Sequence, residues 1–493
     1  MLPDKFGRDE WAAQIDARRA GPSGLAGQIL ARWSAIPLAW RLIGLLAVAA
    51  IVPPLTANDY LIRIAGTICL FATLALGLNV VVGYAGLLDL GYVAFYGLGA
   101  YAYALLSSDK FNVHWPSWAS LLFIGALSVG FGLLLGSPSL RLLGDYLAIV
   151  TLGFGLVFVQ LSITLDRVQV PWEPNPIDIT GGSNGLINLD QLEFLGFELT
   201  NVTHYFYVLL IWLAVALLVI YRMNQSRIGR AWRSMREDPL AAEAMGMPTK
   251  WLKLLAFAFG AAIAGVSGGI FAAWQGGVFP LNFGTDVLIT IYAMVVLGGV
   301  GSLGGAVLGA GLLAFVPELL RSPELARVTF YAGLGLGILL LTRPRRTGLA
   351  TLAGVIGFGL ALRLVMHIIA PDFQAAPSIS VAAASVSSGF ERAAQSFGIA
   401  IQQWIIYPTN LTLPGNLAFL ILIPSLMGLA RMRSGRWKAA LRIPLLYLLA
   451  FVWETRLSVE PAVTRLLLIG LMLVLLMIFR PQGLLGTKRV EIA

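Results

Sequence analysis

The chain has 493 residues, 58% of them hydrophobic and only 12% charged, with a formal net charge of +9 and a mean hydropathy of +0.81. That balance excludes a water-soluble globular domain and marks an integral membrane protein. The apolar runs reach the ~20 residues that cross a bilayer as a helix, against roughly ten alternating residues for a barrel strand, so the expected fold is an all-α, polytopic transmembrane helix bundle.

Residues 1–41 are polar and carry both signs, unlike a secretory signal, and are expected to remain as a cytoplasmic or interfacial segment with Phe6, Trp11 and Ile15 at the membrane surface. Apolar spans are expected near residues 42–56, 61–83, 88–107, 118–136, 145–165, 204–222, 251–273, 286–300, 304–320, 326–342, 348–370, 415–430, 443–456 and 462–479. That makes about 14, with about 12 to 14 compatible with the pattern. The runs 42–56, 286–300 and 443–456 fall short of a full crossing and read as broken or re-entrant. The single cysteine, Cys69, lies inside an apolar run and gives no disulfide framework.

An even number of spans with the N-terminus inside places both termini in the cytoplasm, together with residues 137–144, 222–253, 343–347 and 431–442. These segments hold most of the 34 Lys and Arg. The loop 166–203 carries Asp166, Glu173, Asp178, Asp190, Glu193 and Glu198 against Arg167 alone, as an external loop does. The net charge therefore reports membrane orientation, and no nucleic-acid partner is implied.

Within the spans, residues 78–103 mix thin backbone (Gly83, Gly86, Gly91, Gly97, Gly99) with polar tips. A discontinuous helix facing a central cavity accounts for that mixture, so the candidate translocation path comprises Asn79, Gly83, Tyr84, Asp89, Tyr92 and Tyr96. Asp89, Asp145, Glu318 and Arg363 lie in or beside spans, where a central charge costs about 2.5–3.5 kcal/mol, although helix capping also accounts for Asp89 and Asp145. Gly260, Ala264 and Gly268, and likewise Gly301, Gly305 and Gly309, recur at helical spacing and predict close helix crossings.

Three connecting segments stand out. Residues 166–203 hold Pro171, Pro174, Pro176 and the run Thr180 to Gly185, an irregular loop over the outer face. Residues 371–414 end in Phe390, Phe397, Ile401, Trp404 and Ile405 among polar residues, which suits either an interfacial helix or an external linker. Between two spans, Arg227 to Met247 is charged and ready to fold as a helix: Asp238 can cap, Pro239 suits the first helical position, and Gly246 can end the helix. Its Ala241, Ala242 and Ala244 allow a close partner surface, which suggests docking of another protein. Arg227, Arg230, Arg233 and Arg236 read equally as cytoplasmic anchors.

Catalytic constellations are missing. There is no HExxH, no Cys/His cluster and no Ser/His/Asp set, and His114, His204 and His367 are the only histidines, so no metal site is expected. The string Gly483 to Lys488 lacks the spacing of a phosphate-binding loop, so the chain is expected to have no ATPase site of its own.

Several strings in family order carry a resemblance: LNVVVGYAGLLDLGYVAFYGLGAYAYALL, LRLLGDYLAIVTLGFG, TGGSNGL, GRAWRSMREDPLAAEAMG, AFAFGAAIAGVSGGIFA, VVLGGVGSLGGAVLGAGLL and FRPQGLLG. The chain resembles the larger permease type of the branched-chain amino acid ATP-binding-cassette importers, over residues 61–341 and 462–487. The resemblance implies that Arg230, Arg233, Glu237, Asp238, Ala241, Ala242 and Gly246 form an ATPase-coupling loop within the cytoplasmic segment 222–253. It also implies cytoplasmic ATP-binding subunits, a second permease and a periplasmic amino-acid-binding protein as partners in a bacterial inner membrane. It implies further that the chain is a transport subunit and no enzyme, that it binds no cofactor, and that ATP is used by the partner subunits.

The expected organisation is an N-terminal segment 1–41, a permease core 42–342, inserted spans 343–461 with the external loop 371–414, and a final span with tail 462–493. Two positions depart from the family pattern: Leu240 stands where an acidic residue is usual before the alanines, and Leu156 where relatives tend to carry a carboxylate. A weak echo links 323–344 to 461–481. Two alternatives stay open at this point: a sugar or nucleoside permease of the same superfamily, and an ATP-independent secondary carrier, against which the scarcity of intramembrane carboxylates argues.

Overall fold

A computed structural model describes residues 59–139, 145–169, 176–194, 196–319, 323–341, 345–369, 389–406, 412–431, 436–459 and 482–486, with isolated positions at 44, 46–47, 49–51, 321, 408, 470 and 474. The expected segment 1–41, most of the spans 42–56 and 462–479, and residues 371–388 lie outside the described residues.

Among the described residues eight helices are long and apolar enough to cross a bilayer, and Tyr92–Leu106, Leu303–Glu318 and Ala326–Leu339 are shorter apolar helices. The protein is thus a polytopic helical membrane protein. It divides into two compact units, Met1–Gly311 with Gln482–Ala493, and Leu312–Pro481.

The first unit begins with α1 (Asp59–Leu78), whose end widens into a π-helical turn, Asn79–Tyr84. The chain then unwinds before α2 (Tyr92–Leu106), so the break anticipated in the 78–103 stretch is present. α3 (Ser117–Ser139) and α4 (Asp145–Thr164) follow. The loop after α4 holds β1 (Leu186–Ile187), β2 (Glu193–Phe194) and β3 (Phe197–Glu198). Next come α5 (Val202–Gln225), α6 (Arg227–Glu237), α7 (Pro239–Ala244) and α8 (Thr249–Gln275). β4 (Gly277–Val278), α9 (Thr285–Gly298) and the part of α10 (Leu303–Leu319) up to Gly311 complete the series. The run read as too short at 286–300 is lengthened by a 3-10 turn, Pro280–Phe283, into a 19-residue element.

Small residues set the crossings of this unit, because in lipid the association of helices depends on how closely their backbones approach. α8 crosses α2 so tightly that a Cβ on Gly99 would lie 1.9 Å from the Gly265 carbonyl oxygen, and one on Gly268 would lie 2.0 Å from that of Tyr96. α9 and α10 form a hairpin on Gly298, Gly305 and Gly309, where a Cβ on Gly309 would lie 2.0 Å from the Met294 oxygen. The face of Gly260, Ala264 and Gly268 and the pair Gly305 and Gly309 are therefore packing faces, whereas Gly301 lies in the turn before α10 at φ 85°.

The loop after α4 is more ordered than an irregular flap. β1 pairs antiparallel with β4, with Leu186 opposite Val278, and β2 pairs with β3. Gly181, Gly182 and Gly185 all take positive φ, and a Cβ on Gly185 would sit 2.1 Å from the Val278 oxygen. The Thr180 to Gly185 run is glycine-rich because L side chains do not fit that backbone.

The second unit contains α11 (Pro323–Leu341), α12 (Arg345–Ile369), α13 (Gly389–Trp404), α14 (Thr412–Arg431) and α15 (Arg436–Val459). α15 is longer than the expected 443–456. The expected interfacial segment is helical from Gly389, but its aromatic end packs inward: Trp404 donates from Nε1 to the Ile356 oxygen at 3.0 Å and meets Tyr447 edge-on at 5.5 Å. Ile405 is buried beside it. An ion pair, Arg327 Nε to Glu454 Oε2 at 2.9 Å, is also buried here.

Candidate functional site

The π-helical turn positions the first of the candidate path residues. Asn79 is fully buried; its Oδ1 accepts from the Gly301 N–H at 2.8 Å and its Nδ2 donates to the Ser302 oxygen at 3.3 Å. One side chain thereby holds the α9–α10 turn, in which Gly299 and Gly301 have φ of 113° and 85°. Gly83 is pressed into the same junction: a Cβ there would lie 2.1 Å from Asn79 Oδ1 and 2.7 Å from the Gly301 nitrogen. The segment 482–486 joins from the other side, with Leu484 and Leu485 N–H donating to the Leu297 and Gly298 oxygens at 2.9 and 3.0 Å.

A further arm reaches this junction from α6. Arg236 Nη1 donates to the Gly83 oxygen. Gly83 lies in the last helical turn, where carbonyls lack partners along the helix and a cation complements the helix dipole. Gly86, at φ 73°, leaves room for the arginine: a Cβ there would lie 2.8 Å from Arg236 Cγ. In the sequence Arg236 stands among four similar arginines, of which the resemblance singled out Arg230 and Arg233 for the coupling loop and left Arg236 aside. Two of the others bond locally: Arg230 reaches the Gln225 oxygen and Arg233 the Gly229 and Asn224 oxygens, so both fasten the start of α6.

The remaining path residues lie further along. Asp89 is buried, and its Oδ1 accepts from the Gly91 N–H at 2.9 Å, the local turn expected of an aspartate ahead of a helix. Thr151 of α4 accepts from the Leu90 N–H at 2.9 Å, and the Tyr292 hydroxyl donates to the Asp89 carbonyl. Tyr84 is buried. Tyr92 points back to α1, where a Cβ on Gly77 would lie 2.2 Å from its hydroxyl. Tyr96 packs against Phe271 and Phe283 at 5.4 and 5.2 Å.

Phe283 also lines a cavity of about 470 Å³ with Leu90, Val93, Leu156, Gln160 and Thr285. No candidate path residue lines this cavity itself. The structure thus groups Asn79, Gly83 and Tyr84 at the π-helical turn and places Tyr96 behind the cavity wall, with Asp89 and Tyr92 between. Leu156, half-exposed in the cavity wall, stands where the resemblance leads one to expect a carboxylate.

At one end of α5 the candidate coupling loop folds as its residue types require. Ser226 caps α6, accepting from the Ile228 and Gly229 N–H groups. Asp238 caps α7, accepting from Leu240 and Ala241 at 2.9 and 3.0 Å, with Pro239 in the first turn. Gly246 follows the helix at φ 79°. Trp232 is buried and donates from Nε1 to the Leu252 oxygen at 2.8 Å, fixing α6 to α8. Ala242 is the buried residue of α7, whereas Leu240 and Met245 are 78% and 80% exposed. Glu237 and Ala241 are also exposed.

At the other end of α5 the acidic loop is tied to the α2–α3 connection. Tyr103 donates to the Asp190 oxygen at 2.9 Å, and Lys110 pairs with Asp178 at 2.7 Å. His114 Nδ1 lies 2.6 Å from Asp190 Oδ2, and Nε2 lies 3.8 Å from Asp109. The hydrogen bond and charge of Asp190 raise the His114 pKa above its ordinary value. For Asp178, partial desolvation pushes upward, but the Lys110 ammonium and the Gly181 N–H outweigh it and hold the carboxyl low. Asp109, His114 and Asp190 are close enough to share an ion, and they are solvent-facing.

Comparison with known proteins matches residues 60–331 to the family described as branched-chain amino acid transport system, permease component. The high-affinity branched-chain amino acid transport system permease protein LivM of Escherichia coli K12 is 36% identical over 331 residues, covering 61% of this chain and 75% of the relative. LivH of Salmonella typhimurium is 26% identical over 262 residues, covering 52% and 83%. BraD of Pseudomonas aeruginosa is 25% identical over 263 residues, covering 50% and 80%. No solved structure matches.

Proposed function

The chain belongs to the family of branched-chain amino acid transport permeases, and from that premise we propose that it is the larger permease of an ATP-binding-cassette importer for leucine, isoleucine, valine or related amino acids. It sits in a bacterial inner membrane with both termini in the cytoplasm and about 14 spans, the count the hydrophobic pattern supports. The acidic loop after α4 faces the periplasm, where a binding protein delivers substrate. A second permease completes the pathway, and two cytoplasmic ATP-binding subunits use the ATP. The segment 343–461 is an insertion into the permease pattern.

The observation that carries this reading is α7. It is a short, doubly punctuated helix that exposes Leu240 and Met245, and it follows α6 at the end of α5 away from the acidic loop. Exposed large apolar side chains on a capped, charged hairpin suit a protein partner better than lipid or water. In the importer, closure of the ATPases on ATP moves this hairpin, and the rigid helices attached to it change which side of the membrane the path opens to.

The test is uptake of labelled amino acids into proteoliposomes holding the chain with its partner permease, ATPase and binding-protein subunits. Saturable, ATP-dependent uptake of leucine, isoleucine or valine is expected. Uptake restricted to sugars or nucleosides overturns the substrate, and uptake indifferent to ATP overturns the machine.

A further inference from the structure

One polar link from the α6–α7 hairpin reaches the π-helical turn of the broken helix. Arg236 is the last arginine of α6, two residues before the Asp238 cap of α7. Its guanidinium donates to the carbonyl oxygen of Gly83, across 153 residues of sequence. The site around it is built to admit it. Gly86 takes φ 73° and a Cβ there would overlap Arg236 Cγ, while a Cβ on Gly301 would lie 2.8 Å from Arg236 Nη1. The turn that receives the arginine is π-helical, and it is closed by Ala85 N–H to the Val80 oxygen and Leu87 N–H to the Val81 oxygen at 3.1 and 3.0 Å. π-Helical turns are short, costly insertions into α-helices that recur at functional sites.

From the π-turn the connection continues. Asn79 binds Gly301 N–H and the Ser302 oxygen, and Gly299 is packed so closely on the 482–486 segment that a Cβ would lie 2.5 Å from the Gly486 nitrogen. Backbone so tightly apposed transmits strain from one element to the next.

We propose that Arg236 is the positioning residue through which the hairpin that docks the ATPase grips the π-helical end of α1, so that the hairpin, the broken helix and the α9–α10 turn move together. This deepens the reading given above and rests on it. The hydrogen bonds of Arg233 and Arg230 close on the α5–α6 segment itself.

The experiment compares Arg236→Ala and Arg236→Lys with wild type in the reconstituted complex, measuring leucine uptake and ATP hydrolysis together. The expected result is an assembled Arg236→Ala complex that still hydrolyses ATP, with leucine taken up per ATP lowered about tenfold, as loss of an ordinary coupling free energy gives. Arg236→Lys, which keeps a cationic donor, recovers part of the loss. An unchanged ratio in Arg236→Ala overturns the proposal while normal wild-type uptake leaves the importer reading intact; wild-type complex without ATP-driven uptake overturns the importer reading itself.

A second measurement leaves Arg236 in place and decides the matter if the alanine variant does not assemble. Spin labels at Arg227→Cys and Leu88→Cys in a Cys69→Ala background report the hairpin and the unwound segment. Their separation is expected to stay within about 2 Å between nucleotide-free and ATP-bound complexes, and any larger change overturns the grip.

Discussion

Asn79 and Gly301 are held together across two helices by a 2.8 Å hydrogen bond from the glycine N–H to the asparagine Oδ1. Asn79 is fully buried and also donates to the Ser302 oxygen. Asn79→Ala therefore strips a part-buried N–H and a part-buried carbonyl of their partner at once, which costs about 0.5–1.5 kcal/mol per hydrogen bond. Asn79→Asp keeps the acceptor but sets a carboxylate against the Ser302 carbonyl. Thermal unfolding in detergent should show both variants less stable than wild type, with Asp no better than Ala; a wild-type melting temperature in either would separate the clamp from stability.

The α2–α8 crossing gives a contrasting pair. A methyl at Gly99 meets the Gly265 backbone at 1.9 Å, which no side-chain rotation relieves, whereas a methyl at Gly130 in α3 meets nothing within 4 Å. Gly99→Ala is expected to lose about 1–3 kcal/mol. Gly130→Ala should be neutral or gain up to ~1 kcal/mol from helix propensity. Equal effects on unfolding would sink the crossing as the source of the difference.

What could be read from sequence divides by distance along the chain. Asp238, Pro239 and Gly246 act within one turn of where they stand, so residue type alone placed the cap, the first helical turn and the stop. The stripes at Gly260 and Gly301 announced close crossings for the same reason. Their partners were not legible, because Gly99 and Met294 are chosen by the crossing, and a small residue carries no mark of what it faces. The widening of α1 into a π-turn left no pattern in NVVVGY distinct from an ordinary helix. Arg236 looked like its three neighbours because its acceptor is a backbone carbonyl far away in sequence. Arg327 and Glu454 likewise bear no sign of their pairing, since each stands near the end of an apolar run and only the fold of the second unit brings them together.

That pair is the least exposed ion pair among the described residues, with side chains 5% and 0% exposed. Glu454 also receives the Tyr331 hydroxyl at 3.4 Å. Glu454→Met takes the carboxylate away from the enclosed Arg327 guanidinium, a loss of about 3–5 kcal/mol, whereas the double change Arg327→Met with Glu454→Met recovers most of it. Denaturant unfolding of wild type, both single variants and the double variant forms a closed cycle. A single-variant cost below ~1 kcal/mol, the range of a surface pair, would contradict the burial.

Gly246 lies at φ 79°, and a Cβ there would meet nothing within 4 Å. Substitution strains the backbone by roughly 1–2 kcal/mol without a clash. Gly246→Val should therefore leave the fold intact by circular dichroism while distorting the end of α7, and uptake should fall with ATP hydrolysis retained. Normal uptake would dissociate this turn from coupling.

The acidic loop should respond to pH at both of its ties. His114 has a raised pKa, so the stability it lends through Asp190 is fully present below its ordinary value of 6.5 and is lost as pH rises through the raised folded value. Asp178 is held below its ordinary 3.8, so the stability it lends through Lys110 is fully present above 3.8 and is lost as pH falls through the lowered folded value. Both ties are complete only between those two ordinary values. Hydrogen exchange across residues 107–116 and 176–194, corrected for intrinsic rates, should show greatest protection inside that window and weaker protection on either side. His114→Ala should abolish the loss on the alkaline side while leaving the acid side unchanged, because Lys110 and Asp178 pair independently of it. Alkaline loosening that persists in His114→Ala would assign the response to another group.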